Sequence, residues 1–279
     1  MLPALVAAIP SPSSGSVHLG PLKLNAYGLM IALGVIVAVR IAGRRAGARG
    51  VTDVDGFAAI AMWGVPAGVI GGRAYHVITS TDSFRGRWVE ALYVWQGGLG
   101  IWGGILCGVL AGLWKARRMG LDPLAVISCA APAIAVAQAI GRWGNWFNQE
   151  LFGRPTGLPW ALSVSDATAI KAGYPAGTTF HPTFLYESLG CLLIAWVLVR
   201  MEKKWDPPHG RLFAFYVMLY TGMRFFIEGL RIDPARGTGG LRLNQWVSIA
   251  VFFVAGLLVL ADRRRSRGAT AGSTVDDHE

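Results

Sequence analysis

The chain has 279 residues, of which 53% are hydrophobic and only 15% charged, with a positive mean hydropathy and a net charge of +10. Soluble domains carry about 25% charged residues, so a water-soluble globule is excluded. Several apolar stretches reach the length of a bilayer span, and the basic residues are spread among the loops between them, which argues against a nucleic-acid partner.

Residues Met1 to Ser16 are mildly apolar without a basic leader, so a cleavable signal peptide is not expected. Apolar periodicity then predicts seven transmembrane helices, at about 25–43, 57–78, 97–114, 123–141, 183–199, 211–229 and 244–261. The fold class expected is all-α, a polytopic membrane protein. Spans two and three are rich in glycine, which lets helices approach closely in lipid. Gly103 and Gly104 could also admit a lipid. Cys107, Cys129 and Cys191 each lie inside an apolar run with no metal or disulfide spacing, so they read as small buried residues.

Basic residues orient the chain. Arg40, Arg44, Arg45, Arg49, Lys115, Arg117, Arg118, Arg200, Lys203, Lys204, Arg211, Arg263, Arg264, Arg265 and Arg267 fall on one side. They outnumber Lys23, Arg85, Arg87, Arg154, Lys171, Arg231, Arg236 and Arg242 on the other. The positive-inside rule puts the first group in the cytoplasm, the N-terminus outside and the C-terminus inside. One membrane domain is expected over residues 1–262, with an exterior arm at about 142–182. A basic and then disordered tail is expected at 263–279.

The informative polar residues lie within or at the ends of the spans. Residues 141–154 crowd Arg142, Asn145, Asn148, Glu150 and Arg154 onto the end of span four. Such groups at a membrane edge need partners, and a polar lipid head group would supply them. Arg73, Glu187, Arg224 and Glu228 must likewise be paired or line a wet cavity. Arg224 and Glu228, four apart, could simply pair. Arg142 and Arg224 could meet in one cavity toward the outer leaflet, where guanidinium forks suit a phosphate. His181 is a possible base, or an interfacial anchor before the helix that Pro182 starts. Tyr27 is either an aromatic anchor or a donor to a phosphate or carbonyl oxygen. These features alone describe a membrane protein with an outward-facing anion or phospholipid site. Enzyme, transporter and lipid-binding scaffold all remain open.

The run Gly141-Arg142-Trp143-Gly144-Asn145-Trp146-Phe147-Asn148-Gln149-Glu150-Leu151-Phe152-Gly153-Arg154 resembles the signature of the prolipoprotein diacylglyceryl transferase family. Ala26 to Met30, Gly71-Gly72-Arg73, Trp95-Gln96-Gly97-Gly98, His181 to Glu187, Arg224 to Glu228 with Arg231, and Asn244-Gln245-Trp246 resemble its other motifs, over about residues 20–262. The resemblance implies a seven-span enzyme of the bacterial cytoplasmic (inner) membrane, with its active site toward the outer leaflet. Such an enzyme moves diacylglyceryl from phosphatidylglycerol to the lipobox cysteine of a preprolipoprotein, giving a thioether and glycerol 1-phosphate. Its expected partners are phosphatidylglycerol, the lipobox peptide and membrane lipids; no metal or soluble cofactor is expected.

Carried onto this chain, Arg142 and Arg224 are expected to stabilise the leaving phosphate, with Asn145 and Tyr27 assisting. Phosphatidylglycerol contacts are also expected at Asn148, Gly153, Gly103 and Gly104. Glu150, Glu228 and His181 are the candidate proton acceptors, and the two glutamates could instead hold the arginines. One position departs: many relatives have His-Gly-Gly where this chain has Trp102-Gly103-Gly104. A mechanism that uses that histidine as base cannot operate unchanged here.

Overall fold

The computed structural model describes residues 8–19, 22–94, 97–207, 209–235 and 237–272. Trp95, Gln96 and Arg236, residues 1–7 of the N-terminal stretch and residues 273–279 of the expected tail lie outside the described residues. A chain in hydrocarbon must satisfy its backbone internally, and each of the seven apolar stretches forms a helix. These are α1 (Ala26–Ala48), α2 (Val54–Thr79), α3 (Ile101–Arg118) and α4 (Pro123–Asn148), then, after a short α5 (Asp166–Lys171), α6 (Thr183–Trp205), α7 (Arg211–Leu230) and α8 (Leu243–Gly272).

Among the described residues five helices are long and apolar enough to cross a membrane: α1, α2, α4, α6, and α8 over Leu243–Asp262. The other two fall short because of their charges. α3 ends in Lys115, Arg117 and Arg118, and α7 carries Arg211, Arg224 and Glu228. The chain divides into two compact units, Met1–Ala38 with Ala131–Glu279, and Val39–Ala130.

In the unit Val39–Ala130, Asp53 caps α2 by accepting from the Gly56 N–H at 2.8 Å. The glycines of α2 and α3 face one another. A Cβ at Gly103 would stand 2.2 Å from the Gly71 carbonyl oxygen, and one at Gly71 would stand 2.4 Å from the Cys107 sulfur. The helices touch through their backbones, which accounts for the glycine richness read from the sequence.

In the other unit, α4, α6 and α7 pack around Ala131, Ala135, Ile194, Ala195, Leu198, Leu212 and Tyr216. α7 and α8 are tied at one end by Arg211, whose Nε and Nη2 reach Asp262 at 2.9 and 2.5 Å. Among the described residues five short strands precede the arm's end: β1 (Ile9–Pro10), β2 (Ser16–Leu19), β3 (Leu22–Asn25), β4 (Leu162–Ser163) and β5 (Thr179–Phe180). β2 pairs antiparallel with β3, and β4 pairs parallel with β1 and antiparallel with β5. Phe152, Leu162, Val164, Ala169, Phe180 and Phe184 fill the space beneath that three-stranded sheet. The expected 142–182 loop is therefore a small folded subdomain whose core it shares with Phe184 of α6 and Ile9 of β1. Beyond α7, β6 (Gly237–Thr238) and β7 (Leu241–Arg242) form a hairpin that leads directly into α8.

One boundary differs in a way that matters. Span four was expected to stop at residue 141, but α4 continues to Asn148. Arg142 and Asn145 thus project from its last two turns. The polar signature remains helical because its side chains find tertiary partners, described next.

Candidate active site

Arg142 on α4, Glu187 on α6 and Arg224 on α7 converge inside one unit. Glu187 is fully buried and bridges both guanidiniums: Oε2 lies 2.8 Å from Arg142 Nη2, and Oε1 accepts from Arg224 Nη1 at 3.2 Å. The first contact is an ion pair by distance only, since it departs from hydrogen-bonding geometry. Arg142 Nη2 also donates to the Tyr220 hydroxyl at 3.2 Å. Arg224 Nη2 donates to Glu228, which is fully buried as well.

Glu228 is the hub of a second layer. Arg242 Nε lies 2.9 Å from its Oε1, Asn244 Nδ2 donates to the same oxygen at 3.2 Å, and Arg231 Nη1 stands 3.9 Å from Oε2. Asp233 joins the two outer arginines, accepting from Arg231 Nε at 2.7 Å and Arg242 Nη2 at 3.0 Å. Burial pushes the Asp233 carboxyl up, but the Arg231 hydrogen bond and the charges of Arg231 and Arg242 outweigh it and hold the pKa below the usual aspartate value. Among the described residues, four guanidiniums meet three carboxylates in this cluster, one more cation than anion.

The two predicted arginines differ in availability. Both terminal nitrogens of Arg224 are engaged by carboxylates. Arg142 is engaged through Nη2 alone, and among the described residues its Nε and Nη1 meet no hydrogen-bond partner. These two donors lie apart on the guanidinium, and each is free to bond one oxygen of an anion.

Beside Arg142 the signature builds a second polar group. Asn145 is buried, and its Nδ2 donates to Glu150 Oε1 at 2.9 Å, to which Asn148 Nδ2 also donates at 3.3 Å. Glu150 is exposed and holds asparagines, not arginines. The Tyr27 ring lies over Gly144, and its phenol faces Asn145, Arg142 and Glu150. The chain leaves α4 through two non-glycine residues with positive φ, Gln149 at 51° and Leu151 at 60°. Such conformations persist only where surroundings enforce them. Gln149 donates to the Pro12 carbonyl at 2.7 Å and accepts from Ser165 N at 2.8 Å, while the Leu151 carbonyl accepts from the Thr183 hydroxyl.

Gly153 stitches the arm to α7. Its N–H donates to the His181 carbonyl at 3.0 Å, and the next N–H, of Arg154, donates to the Leu230 carbonyl at 2.9 Å. A Cβ at Gly153 would stand 2.8 Å from that of His181 and 3.1 Å from the Leu230 oxygen. Gly153 thus permits a close backbone approach. The His181 ring meets the Tyr186 hydroxyl at 3.1 Å, which also accepts from Trp160 Nε1 at 3.0 Å. His181 therefore belongs to an aromatic tie between the arm and α6. Gly103 and Gly104 lie in the other compact unit, where their Cα faces meet α2.

Sequence reasoning missed Tyr220, Asp233, Arg242 and Asn244 as members of the cluster. The signal was present on α7: Tyr216, Tyr220, Arg224 and Glu228 recur every four residues and so line one face of the helix. Tyr216 donates to Gln138 of α4 at 2.9 Å, so the polar stripe continues inward from Arg142. The members after α7 come from the loop at Asp233, from Arg242 in the β6–β7 hairpin and from Asn244 at the start of α8, a return that no local pattern announces.

Residues 15–261 match the family model described as prolipoprotein diacylglyceryl transferase. The chain is 49% identical over 289 residues to phosphatidylglycerol–prolipoprotein diacylglyceryl transferase 2 of Streptomyces coelicolor, covering 98% of this chain and 89% of that one. It is 48% identical to the phosphatidylglycerol–prolipoprotein diacylglyceryl transferase of Frankia alni, over 92% of this chain and 68% of that one. The corresponding protein of Cutibacterium acnes is 47% identical over 99% and 94%.

Proposed function

The chain belongs to the prolipoprotein diacylglyceryl transferase family, and from that premise we propose how its residues perform the transfer. The protein moves the diacylglyceryl group of phosphatidylglycerol to the thiol of a preprolipoprotein's lipobox cysteine, an early step of bacterial lipoprotein maturation. The glyceryl C3–O bond breaks, a C–S bond forms, glycerol 1-phosphate leaves and the thiol proton passes to an acceptor. All seven long helices cross the cytoplasmic membrane with the N-terminus outside, and residues 1–262 form the transferase domain, its arm at 142–182 and its site toward the outer leaflet. The basic segment from 263 lies in the cytoplasm. The positive-inside distribution supports this orientation.

The observation that carries the assignment is the pair of unengaged donors on Arg142, Nε and Nη1, beside a cluster in which described guanidiniums outnumber carboxylates by one. A cation held in place before the reaction stabilises charge as it grows on the leaving phosphate, without reorganisation. Glu187 and Tyr220 fix Arg142 through Nη2, and its Nε and Nη1 each keep an N–H for a phosphate oxygen. Arg224, clamped by Glu187 and Glu228, serves through its charge, which favours the thiolate of a cysteine whose free pKa is about 8.5. Asn145, with its amide fixed by Glu150, and Tyr27 contact the head group. Glu150 takes the thiol proton: it is exposed, whereas Glu228 already faces three guanidiniums and an asparagine.

The test mixes purified protein in detergent or liposomes with phosphatidylglycerol and a fluorescent lipobox peptide. The expected result is a mass gain of one diacylglyceryl unit with release of glycerol phosphate, absent with a Cys→Ser peptide. Folded, lipid-bound protein that yields no such product would refute the reading.

A further inference from the structure

Arg73, the membrane arginine outside the site, is not paired as expected of a buried charge. Among the described residues it meets no carboxylate. Instead Nε donates to the Ala91 carbonyl at 2.7 Å, Nη2 to Glu90 at 2.5 Å, and Nη1 to Gly97 at 2.6 Å and Gly98 at 3.2 Å. Its guanidinium also sits 5.3 Å from the centre of the Phe84 ring. One buried side chain thus gathers four carbonyls from a single connection.

That connection does not leave the helix it follows. α2 has 26 residues and is about 39 Å long, against a hydrocarbon core of about 30 Å. After Thr79 the chain makes two 3-10 turns, Thr81–Phe84 and Trp88–Leu92. It turns back along α2: Phe84 packs edge-on against His76, and Gly100 N donates to the Gly72 carbonyl at 2.8 Å. Gly72 is about 10 Å below the end of the helix. Non-helical backbone is tolerated at such depth only where its polar groups are satisfied, and Arg73 does this for four of them.

The outward side of the segment has the composition of a membrane interface. Trp88 is 55%, Val89 65% and Leu92 73% exposed. On the flanking helices Ile70, Ile78 and Ile101 are exposed as well. Arg85 lies at its edge, with the exposed carboxylate of Asp82 three residues away at 3.0 Å, and the exposed Arg87 follows it. An exposed pair of this kind contributes little, so the Arg85 guanidinium can turn to a lipid phosphate. Apolar side chains with a tryptophan and arginines at the rim suit the boundary between head groups and acyl chains.

We propose that the segment from Arg85 to Leu92 is a lipid-contact element embedded in the head-group boundary of the leaflet at the Thr79 end of α2, and that Arg73 holds it there. This rests on the membrane reading of the chain and not on the transfer chemistry.

Full-length Val89→Cys protein, with Cys107→Ala, is labelled with a fluorophore and placed in liposomes of phosphatidylcholine and phosphatidylglycerol. Quenching is read with lipids spin-labelled near the head group, with lipids spin-labelled near the chain end, and with aqueous iodide. The probe is expected to lose most of its emission to the shallow lipid quencher and little to iodide. Full quenching by iodide with none by either lipid overturns the proposal. A second probe, Ile70→Cys, separates this from failure of the membrane reading, because α2 must be lipid-quenched if it spans. Arg73→Met is expected to move the Val89 probe toward iodide access, and an unchanged pattern in folded protein refutes the role given to Arg73. If Arg73→Met does not fold, the Val89 result in the parent chain still decides.

Discussion

Replacing Glu187 with glutamine removes one charge while keeping the side chain's shape. In the native protein that charge is shared by Arg142 at 2.8 Å and Arg224 at 3.2 Å. A unit pair at 4 Å is worth about 4 kcal/mol at an effective dielectric near 20, and removing one partner of a buried pair costs about 3–5 kcal/mol. Here a single change strips the common counter-ion from two guanidiniums and turns an amide N–H₂ toward one of them. The loss should sit near the upper figure, about 5 kcal/mol. That is a large part of the roughly 5–15 kcal/mol by which domains are stable. Arg142 also loses the contact that aims its free side, and misplacement of about 1 Å can lower a rate by about 10²-fold. The assay is the initial rate of diacylglyceryl gain by the lipobox peptide, with thermal unfolding measured in the same detergent. Glu187→Gln that melts and transfers as the native protein does would refute the shared-counter-ion argument. Glu187→Asp, too short to span both arginines, should fall between the two.

Arg142→Ala should abolish transfer with the protein still folded, and should lose far more activity than Trp102→His. Arg142→Lys keeps the charge without the fork, so it should recover only part of the rate; full recovery in the peptide assay would show that charge alone suffices. Gly153→Ala should lower the unfolding temperature, with an overpacking cost of about 1–3 kcal/mol, because the new Cβ would stand 2.8 Å from that of His181. The pKa of Asp233 is depressed in the folded protein, so its stabilising contribution is present above the unfolded value of about 3.9 and is lost as pH falls through the lower folded value. Thermal unfolding followed below pH 5 should show this loss in the native chain and less of it in Asp233→Asn.

Much of the helical framework was legible because apolar stretches of span length have few alternatives in lipid. The seven helices begin within a few residues of their expected starts, and the pairing of Arg224 with Glu228 followed from their spacing. What could not be read was whatever depends on distant partners. The signature looks like a polar loop from Arg142 onward, yet α4 continues through it because Glu187 and Tyr220 receive Arg142 and Glu150 receives Asn145. Likewise Arg242 reads as a loop charge until the β6–β7 hairpin returns it to Glu228. Glu187 itself was expected to be paired, but its position between two arginines requires three helices at once.

The two ends of the α7–α8 pair carry a mechanical consequence. Arg211 is fastened to Asp262 at one end, while Arg242 and Asn244 are fastened to Glu228 at the other. A pair of helices riveted at both ends behaves as a beam: it can tilt as a whole but resists splaying at either tip. Traffic of a two-chain lipid or its lipidated product would therefore have to part some other pair of elements. Arg224, Arg231 and Arg242, all on or beside that pair, keep their places around Glu228 as long as the pair holds.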